Sequence, residues 1–87
     1  GHSVMGGPAY DWVGTPRFVS DGRVAYLAAR GTEKYLVLGD RVLPLGDGVV
    51  WDLEVRGSWL EFGMRVGRQL SWKRIPFSEV ESWHAKQ

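Results

Sequence analysis

Carboxylates spaced two apart occur twice in the chain, as Asp52 with Glu54 and as Glu79 with Glu81. On a strand, residues two apart share a face. Asp52 and Glu54 are therefore expected to point together, away from Val49, Trp51, Leu53 and Val55. Such a pair could divide acid and base roles in a hydrolysis. The simpler reading is the solvated side of an amphipathic strand, so a two-carboxylate hydrolase stands only as the weaker alternative. His84 lies beside Trp83, with Glu81 as its one carboxylate at ligand spacing. A metal centre needs three or four converging ligands, so His84 reads as a solvated surface group. The chain has no cysteine and no G-x-S-x-G elbow, which leaves no evident nucleophile. Gly46-Asp47-Gly48 and Gly63-Met64-Arg65-Val66-Gly67 match neither phosphate-loop pattern, and neither opens a helix. These residues point to no catalytic group, metal or cofactor.

Charge placement carries more information. Residues 1–55 hold five basic and seven acidic side chains, a balance of −2, while residues 56–75 carry Arg56, Arg65, Arg68, Lys73 and Arg74 against Glu61, a balance of +4. The last twelve residues return −1. Trp59 sits within the basic stretch. Trp and Arg together suit protein recognition, where both are enriched in hot spots. They also suit stacking and charge contacts to single-stranded nucleic acid. The plainer alternative is that the cations guard a strand edge and Trp59 packs across Lys73 as a cation–π pair. The candidate binding residues are Arg56, Trp59, Arg65 and Lys73.

These groups must be positioned by a small scaffold. Eighty-seven residues make one domain. Apolar residues at 44% and charged residues at 24% are globular values. Eleven Lys/Arg against ten Asp/Glu leave +1, too little for a whole-domain footprint on duplex nucleic acid. The absence of cysteine excludes a disulfide framework and a thiolate zinc site. The longest apolar run is Val24-Ala25-Tyr26-Leu27-Ala28-Ala29, far short of the roughly 20 residues of a membrane helix. Residues 1–7, with Gly-His ahead of the first Met, read as a tag remnant or leader without signal-peptide character. Residues 8–87 are then the single domain, and the expected location is cytoplasmic.

Turn signals recur at short intervals, at Asp21-Gly22, Gly31-Thr32, Gly39-Asp40, Gly46-Asp47-Gly48, Arg56-Gly57 and Val66-Gly67. The intervening runs are rich in Val, Leu, Tyr, Phe and Trp. This rhythm predicts an all-β antiparallel meander with strands near 9–13, 16–20, 23–30, 33–38, 41–45, 49–55, 58–64 and 68–74. Seven to eight short strands would form a small sandwich or barrel, or two propeller-like blades. At the C-terminus, Ser78-Glu79-Val80-Glu81 matches a capping box. It predicts a short helix that must dock through Val80 and Trp83, being too short to persist alone.

Two hairpins carry definite registers. A two-residue Gly31-Thr32 loop sets Arg30 across from Glu33, placing Val24, Tyr26, Ala28, Tyr35 and Val37 on one face and Ala25, Leu27, Ala29, Leu36 and Leu38 on the other. Both faces are apolar, so this hairpin belongs at the centre of the fold. In the later hairpin, a three-residue Arg65-Val66-Gly67 loop pairs Met64 with Arg68, Phe62 with Leu70 and Leu60 with Trp72. That register buries Trp51 and Trp72 and leaves Trp59 on the solvent side opposite Lys73, while Trp12 and Trp83 cover the sheet ends.

Phe18-Val19-Ser20-Asp21-Gly22-Arg23-Val24-Ala25-Tyr26-Leu27-Ala28, with Tyr10-Asp11 upstream and Lys34-Tyr35-Leu36-Val37-Leu38 downstream, resembles the blade repeats of TolB-like and WD-type β-propellers. Displacing the chain by 35 residues places Phe18 on Leu53, Gly22 on Gly57, Val24 on Trp59, Leu27 on Phe62, Arg30 on Arg65 and Val37 on Trp72. The resemblance implies two blades covering nearly the whole domain. A closed propeller takes about four to eight blades, so it implies either several copies in a ring or a self-contained sandwich. The resemblance speaks to architecture more than activity. The expected function is a non-catalytic binding module, its partner another protein or further copies of itself. The alternative is single-stranded nucleic-acid binding by the hairpin 56–74.

Overall fold

The computed structural model describes residues 10–83. They form β1 (Trp12–Val13), β2 (Arg17–Phe18), β3 (Val24–Arg30), β4 (Glu33–Leu38), β5 (Arg41–Gly46), β6 (Val49–Arg56), β7 (Trp59–Val66), β8 (Gln69–Pro76) and α1 (Phe77–Ser82). The first sheet has the order β1-β3-β4-β5, with β2 also paired to β3; the second has the order β6-β7-β8. All pairings are antiparallel. The fold is therefore all-β, two sheets and one C-terminal helix, with no closed barrel among the described residues. His84 and the residue 1–7 leader lie outside the described residues.

One turn device recurs throughout. The loops Gly31-Thr32, Gly39-Asp40, Gly57-Ser58 and Gly67-Arg68 each have two residues with glycine first, closed by the pairs Arg30↔Glu33, Leu38↔Arg41, Arg56↔Trp59 and Val66↔Gln69. Their glycines take φ values of 61°, 61°, 58° and 60°, the left-handed region that a Cβ disfavours. Such turns match the twist of the strands they join.

The β3–β4 hairpin has the expected register and both its faces are apolar. Leu27, Leu36, Leu38 and Leu43 meet Val50, Leu53, Leu60, Phe62 and Met64 of the second sheet, with Val80 of α1 added at one end. On the opposite face of the first sheet, Tyr10 and Tyr35 lie 5.7 Å apart. Burial, followed by the neighbouring Tyr26 and Tyr35, pushes the Tyr10 hydroxyl pKa above its ordinary value.

The β7–β8 hairpin departs from expectation. Its loop is Gly67-Arg68, so Met64 pairs with Ser71, Phe62 with Lys73 and Leu60 with Ile75. The predicted three-residue loop placed Gly67 last, whereas the turn uses glycine first. The shift is three residues, and an odd shift exchanges the faces of β8 relative to β7. Gln69, Ser71 and Lys73 consequently share the inner side with the core residues of β7. Trp72 turns outward and is 54% exposed, rather than buried.

A second departure lies in β6. Trp51 pairs with Gly63, but Glu54 pairs with Glu61, leaving one extra residue between them. Asp52 takes φ 58° there, the one non-glycine residue at positive φ among the described residues. This bulge reverses the alternation: Val50 and Leu53 both enter the core, while Trp51 and Glu54 both face out. Asp52 and Glu54 thus do not form the expected same-face pair, and Trp51 is only half-buried.

The helix also differs in detail. β8 runs on to Pro76, whose extended backbone serves as N-cap without a side-chain hydrogen bond. Ser78 therefore lies inside the helix, and the expected capping box does not form. Glu81 instead meets Arg23 at 2.9 Å. Val80 is fully buried, whereas Trp83 lies past the last turn and is 38% exposed.

Candidate binding surface and adjoining cleft

The outward face of the second sheet is built by the two departures just described. Across its three strands run the rows Arg56–Trp59–Pro76, Glu54–Glu61–Arg74, Trp51–Gly63–Trp72 and Val49–Arg65–Leu70. Glu61 is 8% exposed, an unusual burial for a carboxylate on an outer face. Two guanidiniums cover it: Arg56 Nε donates to Glu61 Oε1 at 2.9 Å, and Arg74 Nε forms an ion pair with Glu61 Oε2 at 3.2 Å. Arg74 also lies over the Trp59 ring, 4.9 Å from its centroid. Trp59, Arg74, Glu61 and Arg56 are thus one held array, in which indole, cations and carboxylate constrain each other.

Three of the four candidate residues therefore share this face. Arg56 is in the array, Trp59 is 38% exposed beneath Arg74, and Arg65 lies two positions beyond Gly63. Lys73 does not join them. It pairs with Phe62 on the inner side and lines an open groove of about 570 Å³ between β5 and β8, floored by Leu43, Leu45 and Ile75. Pro76 stands opposite Trp59, and the cation over its ring is Arg74. Sequence reading missed Trp72, Arg74 and Leu70 as members of the face. The available signal was the Gly-X loop: placing glycine first at Gly67, as at Gly31, yields the observed register.

Trp51 is seated by Gly63. A Cβ on that glycine would fall inside the Trp51 indole, so only a bare backbone lets the ring lie flat on β7. Beyond Trp51 the face turns a corner into a cleft of about 200 Å³ where β6 meets β1 and β2. Trp12 and Trp51 line it, over a floor of Leu27, Val50 and Leu53. Trp12 is held against Gly14, whose added Cβ would stand 3.2 Å from Trp12 Cη2. Arg17 ties the sheets together there, donating from Nε to the Leu53 carbonyl at 2.8 Å and meeting Glu54 at 3.4 Å. Asp52 stands at the bulge and lines the cleft, while Glu54 does not. The carboxylates considered for hydrolysis are thus separated by the bulge. Of the other pair, Glu81 is engaged by Arg23 and Glu79 lines the groove beside β8.

Among the described residues no three His, Cys, Asp or Glu side chains converge as a metal site would require. No helix among them is long and apolar enough to cross a membrane. No family model, curated protein or solved structure matches this chain.

Proposed function

We propose that this domain is a non-catalytic interaction module that binds another protein chain through the outer face of its second sheet. The observation that carries the reading is the exposure of Trp59, Leu70 and Trp72 at 38%, 70% and 54% on one face with Arg56, Arg65 and Arg74. Large apolar groups left in water beside arginines are the composition of a protein interface core. The charge balance of the face favours protein over nucleic acid. Its three arginines stand against Glu54 and Glu61, and Arg56 and Arg74 are already engaged by Glu61. Phosphate binding draws on uncompensated cations, and here Arg65 is the one arginine of the face with no carboxylate partner among the described residues.

A second copy of the chain is the partner to test first. The face mixes both charges with aromatic rings, so it can meet itself about a two-fold axis. The propeller resemblance belongs to the same proposal. The 35-residue displacement carries β3 onto β7 and β4 onto β8, as repeated blades would, and blades from separate copies could then assemble. Cytoplasmic residence is likewise part of the proposal. The test is size-exclusion chromatography with light scattering over rising concentration, comparing the parent with Trp72→Ser/Leu70→Ser. A discrete oligomer that becomes monomeric in the variant supports the face. An oligomer unchanged by the variant refutes it. Nucleic acid is tested separately by titrating single-stranded oligonucleotide at two salt concentrations, where no salt-sensitive binding is expected.

A further inference from the structure

We propose that the cleft between β6 and the β1–β2 edge binds a neutral sugar ring of pyranose size. This does not rest on the interaction face. At about 200 Å³ the cleft lies below the roughly 300–1,000 Å³ of drug-sized pockets, so one ring fits and an extended ligand does not. Its two tryptophans are pre-positioned, Trp51 on Gly63 and Trp12 on Gly14. Rings held before binding lose little conformational freedom on binding. Indole offers a flat apolar surface with a negative face, suited to the weakly positive C–H face of a pyranose.

The polar groups fit the remaining edge of such a ring. Hydroxyls donate and accept, so a sugar site needs both kinds of partner. Arg17 supplies guanidinium donors, Thr15 a hydroxyl and Asp52 a carboxylate acceptor, all lining the cleft. Asp52 makes no hydrogen bond or ion pair with any other described side chain, so its acceptors are available. Its left-handed backbone, φ 58°, holds it at the lip of the cleft. The charges suit an uncharged ligand that donates hydrogen bonds: Arg17 is countered by Glu54 at 3.4 Å, which weakens attraction for an anion, and ring hydroxyls can donate to the Asp52 carboxylate. An amphipathic uncharged ring uses every group present.

The test is a two-dimensional amide and indole NMR titration of the full chain with glucose, galactose, mannose and N-acetylglucosamine, and with adenosine as the planar aromatic control. The expected result is a saturable shift of the Trp12 and Trp51 indole resonances with at least one sugar, at millimolar affinity. Asp52→Gly keeps the backbone conformation that the bulge requires while deleting the carboxylate. It is expected to weaken that sugar about tenfold or more, the consequence of losing a hydrogen bond to a charged group. Trp12→Ala is expected to weaken it comparably, with Trp59 and Trp72 resonances unaffected. Silence of both cleft indoles with all four sugars overturns the proposal. So does binding of adenosine alone, or sugar binding that survives Asp52→Gly undiminished.

Discussion

Gly63 is the residue on which the second sheet's outer face depends. In a strand, replacing glycine by alanine is ordinarily favourable because it restricts the unfolded chain. Here the sign reverses, since the new methyl would occupy the space of the Trp51 indole. Gly63→Ala is expected to destabilise by about 1–3 kcal/mol, read by chemical denaturation, with Trp emission shifted as Trp51 is displaced. Glu61 makes a related point. It is buried under Arg56 and Arg74, but both guanidiniums remain largely in water, so their pairing contributes modestly. Glu61→Ala should cost about 1 kcal/mol, and a double-mutant cycle with Arg74→Ala should show coupling. Independence of the two changes would mean the array is geometry without energy. Neither role was legible in sequence, because Glu61 and Gly63 acquire their partners from adjacent strands.

The elements divide by how local their determinants are. The Gly-X hairpin of β3–β4 was readable because its loop is two residues and both flanking runs are apolar. The β7–β8 hairpin was not, because Gly67 can serve a two- or a three-residue loop, and apolar matching favoured the wrong one: it paired Phe62 with Leu70 where the chain pairs it with Lys73. Sandwich closure decided the matter, since the inner side of β8 borders an open groove and can carry Lys73 there. For α1, six residues are too few to hold a helix alone, so docking through Val80 must supply its stability. Val80→Ala is expected to cost about 2 kcal/mol, seen as a lower thermal midpoint. At the other end of the same contact, Arg23 pairs with Asp21 at 2.7 Å and Glu81 at 2.9 Å. The Arg23 hydrogen bonds hold the Asp21 carboxyl pKa below its ordinary 3.8. A lowered folded-state pKa contributes stability that is present above the unfolded value and lost as pH falls through the folded one. Stability should therefore fall as pH drops below about 4, and Asp21→Asn should flatten that part of the profile. The pair is exposed, so the difference will be small; thermal midpoints across the range would detect it.

At the scale of the whole molecule, two sheets share one core, with Phe62 and Leu60 fully buried against Leu36 and Leu38. Neither sheet can bury its inner face alone, so unfolding should be a single transition. Far-ultraviolet circular dichroism and Trp fluorescence are expected to give coincident melting curves, and Phe62→Ala to lower both together, at a cost of about 3–5 kcal/mol. Separated curves would mean that the sheets are independent units. The sandwich is asymmetric at its sides. The β6 side is narrowed by Arg17, which bonds across to Leu53, and the β5–β8 side remains a groove.

Strand count, antiparallel order, the central β3–β4 register and the terminal helix follow from sequence alone, because alternation and Gly-X turns act between neighbours in the chain. The orientation of Trp51 and Trp72, the separation of Asp52 from Glu54 and the exchange of Lys73 for Arg74 beside Trp59 were decided by tertiary structure. Each depends on a one-residue bulge in β6 or an odd shift of register in β8, and that choice is made by how two sheets fill a common core. Side chains in a strand alternate with period two, so one added residue moves an entire run to the other face. The surface that carries the proposed function is therefore a product of the packing beneath it.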